Sequence, residues 1–445
     1  MPDFATSQSS AVQRQLDRLW SLSPGTDILG LERITALLAR LGDPHHRLPP
    51  VFHVAGTNGK GSTCAFLRTA LEAAGLIVHV YSSPHLVRFN ERIRLAGTLI
   101  EDDALAALLS EVLDHAADIG ASFFEVTTAA AFLAFSRVPA DACVIEVGLG
   151  GRLDATNVVR PIVTGIAQLG IDHQSFLGHS AVGIAAEKAG IAKSGVPLVT
   201  MRYPANIAAR IAEVAKTVGA SVAPPSSDWD YAIETERLVY TDPAGRIETP
   251  LPALAGPHQP RNLALAIAML RHQRVLAVPD AAFATAATAT RWPARMQRLS
   301  PGPLSAALPP GSRLWLDGGH NPAAAEVVAE SLRQVAWVAG AGRGPTRLIL
   351  GMLANKDPAG LLTPFAGLAD SLYAVPIANH EHHSPDSLIA AARGLGIDAQ
   401  AAQSVADALD AIADTADQGE PPTVLILGSL YLAGEVLAAN NELPY

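Results

Sequence analysis

The sequence contains little of what marks secreted or membrane-spanning proteins. Only two of its 445 residues are cysteine, Cys64 and Cys143, and both lie in apolar stretches, which excludes a disulfide framework and predicts reduced thiols. No uninterrupted apolar run reaches the ~18 residues that a membrane-spanning helix needs. The N-terminus, MPDFATSQSS, lacks the basic and then apolar segments of a signal peptide. We therefore expect a soluble, cytoplasmic protein.

Charged residues are also scarce, and basic ones are in the minority. They make up 17% of the chain, with 32 Lys and Arg against 42 Asp and Glu, so the formal net charge is −10. This balance argues against broad binding to nucleic acid or to an anionic membrane, although it leaves room for a local basic pocket. Hydrophobic residues reach 49%, which predicts a large core and little disorder. Small molecules are the expected partners, and a monomer is the expected state.

Short apolar runs alternate with helical patterns along most of the chain. The runs are continuous and not alternating, which predicts a mostly parallel, doubly wound α/β sheet. The pattern pauses near TRWPARMQRLSPGP and then begins again, so we predict a first domain over 1–293 and a smaller α/β domain over 294–445. Residues 221–256 show more alternation and contain a DPAG turn, which indicates an antiparallel patch on the edge of the first sheet.

The stretch VFHVAGTNGKGSTCAFL, residues 51–67, joins a strand pattern to a helix pattern through a glycine-rich loop. Backbone N–H groups at such a helix N-terminus bind phosphate, a lysine reaches the β- and γ-phosphates, and a Ser or Thr hydroxyl binds Mg²⁺. The spacing departs from the usual pattern because Gly61 separates Lys60 from Ser62. The alternative is an ordinary glycine turn with a solvated lysine. The coincidence of strand, loop and helix favours a phosphate-binding loop.

Polar residues follow several of the predicted strands. Ser83, Glu146, Asp172 and His173 lie at strand ends, where parallel sheets bind ligands. A carboxylate there, in the same sheet as a phosphate-binding loop, is a candidate Mg²⁺ ligand. The alternative for Glu146 is a buried acid paired with an arginine. Taken alone, His173 is interpreted as a loop histidine and not as a metal ligand, since Mg²⁺ prefers oxygen ligands.

Three other motifs resemble known binding patterns but are not interpreted as the sites that those patterns mark. GLGGRLDATN resembles the dinucleotide-binding pattern, but Leu153 occupies the place of the third glycine. VAGAGRGPT precedes a strand instead of following one, and is interpreted as a surface loop. In NHEHHSP, adjacent histidines of a polar loop are more often solvated, and no cysteine or carboxylate spacing completes a zinc site.

Eight ordered blocks together resemble the folylpolyglutamate synthase and dihydrofolate synthase family, within the Mur ligase group. The blocks are AGTNGKGST, YSSPHLVRFNERI, FEVTTAAAF, IEVGLGGRLDATN, GIDHQSFLG, EKAGIAK, LDGGHNP and LGMLANKD, and the resemblance as a whole extends from about residue 27 to about residue 430. The resemblance implies a P-loop ATPase domain followed by a Rossmann-like glutamate-ligase domain. It also implies ATP and two Mg²⁺ ions, and it admits a monovalent cation.

The resemblance assigns roles to individual residues. The ATP phosphates are assigned to Thr57, Asn58, Gly59, Lys60, Gly61 and Ser62, and outer ATP contacts to Asn262, Arg295 and Asp317. The metal ligands are Ser83, Glu146 and His173, with Lys188 matching a lysine that is carbamylated in relatives. The incoming glutamate is assigned to His320 and Ser429, and His320 is also a candidate to orient or deprotonate its amine. The pterin pocket is assigned to Asp27, Leu29, Gly30, Leu31, Arg33, Ser122, Phe124, Leu153, Asp154 and Ala155.

Two features of these assignments leave alternatives open. Without the resemblance, Lys188 would be interpreted as a solvated helix lysine, and Asp27 as a helix cap. Relatives often carry Asn in place of Gln259, which affects the predicted nucleotide contact at Asn262.

The implied reaction is the ATP-dependent addition of L-glutamate to dihydropteroate and to the γ-carboxyl group of folates, through an acyl phosphate. One alternative is folylpolyglutamate synthesis alone, and another is a Mur-type cell-wall ligase, which would need a domain before the loop at Gly56. A third, from a different class, is a P-loop nucleotide switch without ligation.

Overall fold

The continuous apolar runs form buried strands in two α/β units. The computed structural model describes residues 5–22, 29–337, 344–415 and 421–444. The first unit comprises the residues up to Ala253 together with Gln259–Arg291, and the second comprises Leu254–His258 and Trp292–Pro444. The division in the chain after Arg291 lies beside the predicted boundary at 293/294.

The strands of the first unit are short. They are β1 (Val51–Ala55), β2 (Val78–Tyr81), β3 (Ile93–Leu95), β4 (Thr98–Leu99), β5 (Ala142–Glu146), β6 (Val163–Ile166), β7 (Pro197–Thr200), β8 (Ser221–Ala223), β9 (Asp230–Glu234), β10 (Arg237–Asp242) and β11 (Gly245–Pro250). Its helices are α1 (Ser10–Leu22), α2 (Glu32–Arg40), α3 (Lys60–Ala73), α4 (Asp102–Ala116), α5 (Phe123–Arg137), α6 (Gln174–Leu177), α7 (Ala181–Ala189), α8 (Ala205–Val218), α9 (Gln259–His272) and α10 (Asp280–Ala289).

The main sheet has the order β4-β3-β2-β5-β1-β6-β7-β8. The pairs from β2 to β8 are parallel, and β3 and β4 add antiparallel strands at one edge. β1 lies between β5 and β6, and all five of its residues are buried. The loops after β1, β2, β5 and β6 therefore leave the same edge of the sheet, which confirms the predicted mostly parallel fold and places the strand-end residues together.

The stretch 221–256 does not extend the main sheet as an antiparallel patch. β8 pairs in parallel with β7, whereas β9 to β11 form a separate three-stranded antiparallel sheet. Exposed and buried residues alternate in β11, which suits a sheet with one solvated face. Thr235 and Glu236 both have positive φ, as a tight two-residue hairpin turn requires.

The second unit is a six-stranded sheet with the order β12-β13-β17-β14-β15-β16. All its neighbouring strands are parallel except β12 and β13. The strands are β12 (Gln297–Arg298), β13 (Arg313–Leu316), β14 (Thr346–Leu350), β15 (Ser371–Ala374), β16 (Asp398–Ala401) and β17 (Thr423–Leu427). The helices are α11 (Pro303–Ala306), α12 (Pro322–Trp337), α13 (Pro358–Leu362), α14 (Pro385–Gly394), α15 (Val405–Thr415) and α16 (Leu430–Ala439).

Two expectations from composition are met by the described residues. Cys64 and Cys143 are both buried and unbonded to each other, as free thiols. Within the described ranges, no helix combines the length and the apolar character that crossing a bilayer requires.

Candidate functional site

The glycine-rich loop forms a turn between β1 and α3. Thr57 and Asn58 donate their backbone N–H groups to the Gln168 carbonyl, at 2.8 and 3.1 Å, which ties the loop to the chain after β6. The Thr57 hydroxyl donates to the Gly170 carbonyl at 2.9 Å. Gly59 then caps α3 with φ of 84°. This conformation strains residues that carry a Cβ. The loop therefore presents the N-terminus of α3 at the carboxyl edge of the sheet.

Residues of α9 close one side of this loop. A Cβ atom on Gly59 would lie 2.6 Å from the Asn262 side-chain oxygen, so only glycine fits there. Asn262 donates its amide to Gln259 at 3.1 Å, and Gln259 in turn donates to the Ser62 hydroxyl at 3.5 Å. Gln259 and Asn262 are both buried. Asn262 thus lies beside the predicted phosphate loop, and the unusual Gln259 connects it to the first turn of α3.

Two lysines lie close to the same loop. Lys60 is half-buried, and its ammonium group is 3.4 Å from the Thr57 carbonyl. Lys188, on α7, is 5% exposed and donates to the Gly56 carbonyl at 2.9 Å. The prediction of a solvated lysine from sequence alone was therefore wrong for Lys188. Burial, with the nearby charge of Lys60, lowers the pKa of Lys188 to about 7.

Glu146 and Ser83 meet at the ends of β5 and β2. The Ser83 backbone N–H lies 3.4 Å from the Glu146 carboxylate, which is nearly buried. Burial raises the pKa of the Cys64 thiol in α3, and the charge of Glu146 adds to that shift. These two residues and the phosphate-binding loop are brought to one edge of the sheet.

His173 has a different environment. It is exposed at the N-terminus of α6 in the left-handed conformation, with φ of 52°, and its backbone N–H donates to Asp172 at 2.7 Å. The charge of Asp172 opposes the lowering of the Lys188 pKa that burial causes. A metal role for His173 stays a prediction.

The predicted pterin residues that the structure describes lie at the start of α2, at the start of α5 and in the segment that follows β5. Asp154 is buried, and its carboxylate accepts the backbone N–H groups of Leu149 and Thr156 at 2.7 and 3.0 Å. The ring of Phe124 covers Gly148 so closely that a Cβ there would be 2.3 Å from it. Phe124 and Asp154 therefore both contact the loop after β5, Phe124 at Gly148 and Asp154 at Leu149. Leu153 is half-buried, and Ala155 belongs to the core.

Ser122 caps α5, on which Glu125 links it to Arg33. The Glu125 carboxylate accepts the Ser122 backbone N–H at 2.7 Å and the Arg33 Nε–H at 3.0 Å. The sequence analysis missed Glu125, although Ser122 followed three residues later by Glu is a capping-box signal. Leu29, Gly30 and Leu31 precede α2, whose cap is Leu31, and Asp27 lies outside the described residues.

In the second unit, the predicted residues gather at the ends of β13 and β17. The buried Asp317 carboxylate accepts the backbone N–H groups of Met296 and Gly319, each at 2.7 Å. Burial raises the pKa of Asp317 and the charge of Arg295 opposes that shift. His320 donates from Nδ1 to the Gly318 carbonyl at 2.9 Å, so Nε2 is the unprotonated nitrogen of the neutral ring.

Ser429 lies next to this turn. The Gly428 N–H donates to the Gly319 carbonyl at 3.0 Å, which connects the two strand ends. The Ser429 hydroxyl accepts the Tyr431 N–H and caps α16. His320 and Ser429 are therefore held on adjacent loops.

The histidines of NHEHHSP are half-buried, so they keep part of the solvent exposure that the sequence pattern predicts and also contact other residues. His380 stacks on Tyr431 with ring centres 3.9 Å apart, and His383 contacts the Lys356 carbonyl at 2.9 Å. Their interactions are with the protein, and the three histidines are absent from the metal-compatible clusters found among the described residues.

Known proteins resemble this chain over nearly its full length. Residues 304–430 match the family described as "Mur ligase, glutamate ligase domain". The chain is 35% identical over 430 residues to the dihydrofolate synthase/folylpolyglutamate synthase of Escherichia coli K12, covering 96% of this chain and 95% of that protein.

Solved structures also resemble this chain over nearly its full length. The E. coli FolC complex with DHPP and ADP has a TM-score of 0.85 at 35% identity, covering 97% of this chain and 98% of that one. A bifunctional folylpolyglutamate synthase/dihydrofolate synthase with Mn, AMPPNP and L-glutamate bound has a TM-score of 0.83 at 32% identity, covering 98% and 99%.

Proposed function

Because the chain belongs to the dihydrofolate synthase/folylpolyglutamate synthase family, we propose that it is an ATP-dependent glutamate ligase. Its acceptors are dihydropteroate and the γ-carboxyl group of folates, and its other products are ADP and phosphate. The observation that carries the proposal is the turn between β1 and α3, which we call the glycine cradle. In it, Gly59 faces Asn262 with no room for a Cβ, and Lys60 begins the helix.

The residues suit a reaction that starts by bringing anions together. A carboxylate forms no amide unaided, so the γ-phosphoryl group of ATP is first transferred to it, giving an acyl phosphate. The amine of glutamate then attacks the acyl carbon, and phosphate leaves. The Lys60 ammonium and the backbone N–H groups at the start of α3 offset the repulsion between phosphate and carboxylate.

The donor set at the end of β5 fits a divalent cation. Glu146 supplies a buried carboxylate oxygen and Ser83 a hydroxyl, and oxygen ligands are those that Mg²⁺ prefers. When bound, such an ion neutralises charge on the phosphates. His173 is part of this proposal as a third ligand.

A carbamate on Lys188 is a further part of the proposal. A neutral amine adds to CO₂, forming a C–N bond and releasing a proton to solvent, and the lowered pKa of Lys188 favours that neutral amine near pH 7. In ¹³C-bicarbonate, the wild type should show a carbamate carbon resonance that the Lys188→Arg variant lacks. A wild type that is active without this resonance would remove the carbamate from the proposal.

Residues of the second unit are proposed to bind the glutamate and the outer part of ATP. The Gly318 carbonyl accepts the Nδ1 proton of His320, which leaves Nε2 as the ring nitrogen that could accept a proton from the glutamate ammonium. Ser429, on the adjoining loop, and Arg295 with Asp317 complete the proposed contacts. A monomeric state and a cytoplasmic location stay predictions.

The proposed function is tested by measuring ADP release from purified protein with ATP, Mg²⁺ and L-glutamate. Either dihydropteroate or tetrahydrofolate is the acceptor, and mass spectrometry identifies the product. We expect both acceptors to gain one glutamate. Use of tetrahydrofolate alone would leave a folylpolyglutamate synthase, and nucleotide hydrolysis independent of glutamate would favour a nucleotide switch.

Replacing Gly59 by alanine should weaken ATP binding. The new Cβ would collide with Asn262, and the positive φ adds about 1–2 kcal/mol of strain. We expect the KM for ATP to rise by about tenfold or more, consistent with the loss of a few hydrogen bonds to phosphate. Gly75→Ala is the matched control, since Gly75 has φ of 83° and a Cβ added there would meet no atom within 4 Å. Equal KM values for ATP in the two variants would contradict the cradle.

A further inference from the structure

A histidine occupies the middle of the central strand of the first unit. His53 is fully buried in β1, where its neighbours Phe52 and Val54 are apolar core residues. It pairs with Ile145 of β5 and Thr164 of β6. An apolar side chain would satisfy this position by packing alone, so the presence of an imidazole calls for an explanation in its hydrogen bonds.

The His53 ring makes one hydrogen bond, and its direction follows from the next bond along. The Thr156 hydroxyl donates its single proton to the Asp154 carboxylate at 2.5 Å. It must therefore accept at its contact with His53, and Nε2 of His53 donates to it across 2.9 Å. The result is a relay from imidazole N–H through the threonine hydroxyl to a carboxylate oxygen.

The other ring nitrogen makes no hydrogen bond, so the bond from Nε2 to Thr156 is the polar contact that distinguishes the imidazole from an apolar side chain. Nδ1 of His53 is buried and has no hydrogen-bond partner among the described residues. A buried polar atom left in this state costs stability. Burial, with the charge of Lys193, lowers the pKa of His53 to about 3, so the ring is neutral and its Nε2 proton is fixed.

The relay ends on a carboxylate whose other contacts are backbone groups. Asp154 accepts from Leu149 and Thr156, and the Thr156 hydroxyl is its contact with a side chain that is itself positioned from β1. The strand that leads into the phosphate-binding loop is thereby connected to the loop that follows β5 and bears Asp154.

We infer that His53 is a positioning residue for the acceptor substrate, acting through Thr156 to fix the Asp154 carboxylate. This inference rests on the proposed function, in which Asp154 lines the acceptor pocket. Fixing the Thr156 hydroxyl keeps its O–H directed at Asp154, so the remaining lone pairs of that carboxylate keep one direction for N–H donors of a bound ring.

The test compares two amides at position 53. A glutamine amide reaches the place of Nε2 and can donate to Thr156, whereas an asparagine amide ends near the place of Nδ1 and cannot. We expect His53→Asn and Thr156→Val each to raise the KM for the acceptor by about tenfold, as loss of a buried hydrogen bond predicts. His53→Gln and Thr156→Ser should stay near wild type. The KM for ATP should change by less than about twofold in all four variants.

A double variant and a control separate positioning from packing. The acceptor KM of His53→Asn combined with Thr156→Val should be no higher than that of Thr156→Val alone, because the two changes break the same relay. His79→Asn is the control: this buried histidine of β2 bonds the Val138 carbonyl through Nε2 and the Ala96 N–H through Nδ1, and loss of the Val138 bond should lower the melting temperature with the acceptor KM unchanged.

Two results would overturn the inference in an active enzyme. One is an acceptor KM that stays unchanged in His53→Asn while the melting temperature falls, and the other is an equal rise in the KM for acceptor and for ATP. If His53→Asn does not fold, the Thr156→Val and Thr156→Ser pair and the His53→Gln variant decide by the same readout. Failure of the proposed function is distinct, since the wild type itself would then release no ADP with any acceptor.

Discussion

Lys60→Ala should fold normally and lose turnover by about 10²–10³-fold or more, the range found when one preorganised electrostatic stabiliser is removed. Lys60 lies at the first position of α3, directly after the glycine that caps the helix. It is there that the phosphate and carboxylate anions would meet. The measurement is glutamate-dependent ADP release at saturating ATP, with circular dichroism to verify the fold.

Lys216→Ala provides the comparison for Lys60. Lys216 is an exposed lysine in the last turn of α8, in the same unit, and its removal changes the net charge equally. We expect its turnover to match wild type. Near-normal turnover in Lys60→Ala would mean that the glycine-rich loop is not the phosphate cradle.

Glu146→Gln should lower turnover on the order of 10²-fold at low Mg²⁺ and recover part of it at high Mg²⁺, because the change removes a metal-binding charge while keeping the size of the side chain. The buried position of Glu146 beside Ser83 leaves its carboxylate as a strong oxygen donor at that strand end. The measurement is the Mg²⁺ concentration that gives half-maximal turnover.

A structural acid offers the control for Glu146. Asp242 has a nearly buried side chain and pairs with Arg271 at 2.9 Å, on β10 and α9 of the same unit. Asp242→Asn should lower thermal stability and leave the Mg²⁺ dependence as in wild type. If Glu146→Gln shows the same behaviour as Asp242→Asn, Glu146 is a structural acid.

Tertiary contacts changed the interpretation of several single residues. Without the family resemblance, the sequence would suggest a solvated Lys188 on α7, yet this lysine is buried against the Gly56 carbonyl, 132 positions away in the chain. Glu125 and Arg33 form an ion pair across 92 positions that no local pattern predicts. A helical lysine or glutamate carries no sequence signal for the strand or loop that will cover it.

The sequence by itself determined the local elements and the glycine-rich loop between β1 and α3. Continuous apolar runs predict parallel strands because both faces of such strands are covered, and a glycine before the helix at Lys60 predicts a positive φ that the structure has at Gly59. These features depend on neighbours within a few residues, so the order of residues is sufficient to predict them.

Only the tertiary structure decided which strand ends meet and which side chains face one another. The order β2-β5-β1-β6 places strands side by side that are far apart in sequence, and so brings Ser83 to Glu146 and Thr57 to Gly170. The same order sets His53 of β1 against Thr156, 103 positions later, and creates a relay absent from any local motif. Strand order depends on how helices cover the two faces of the sheet, and that is a property of the whole chain.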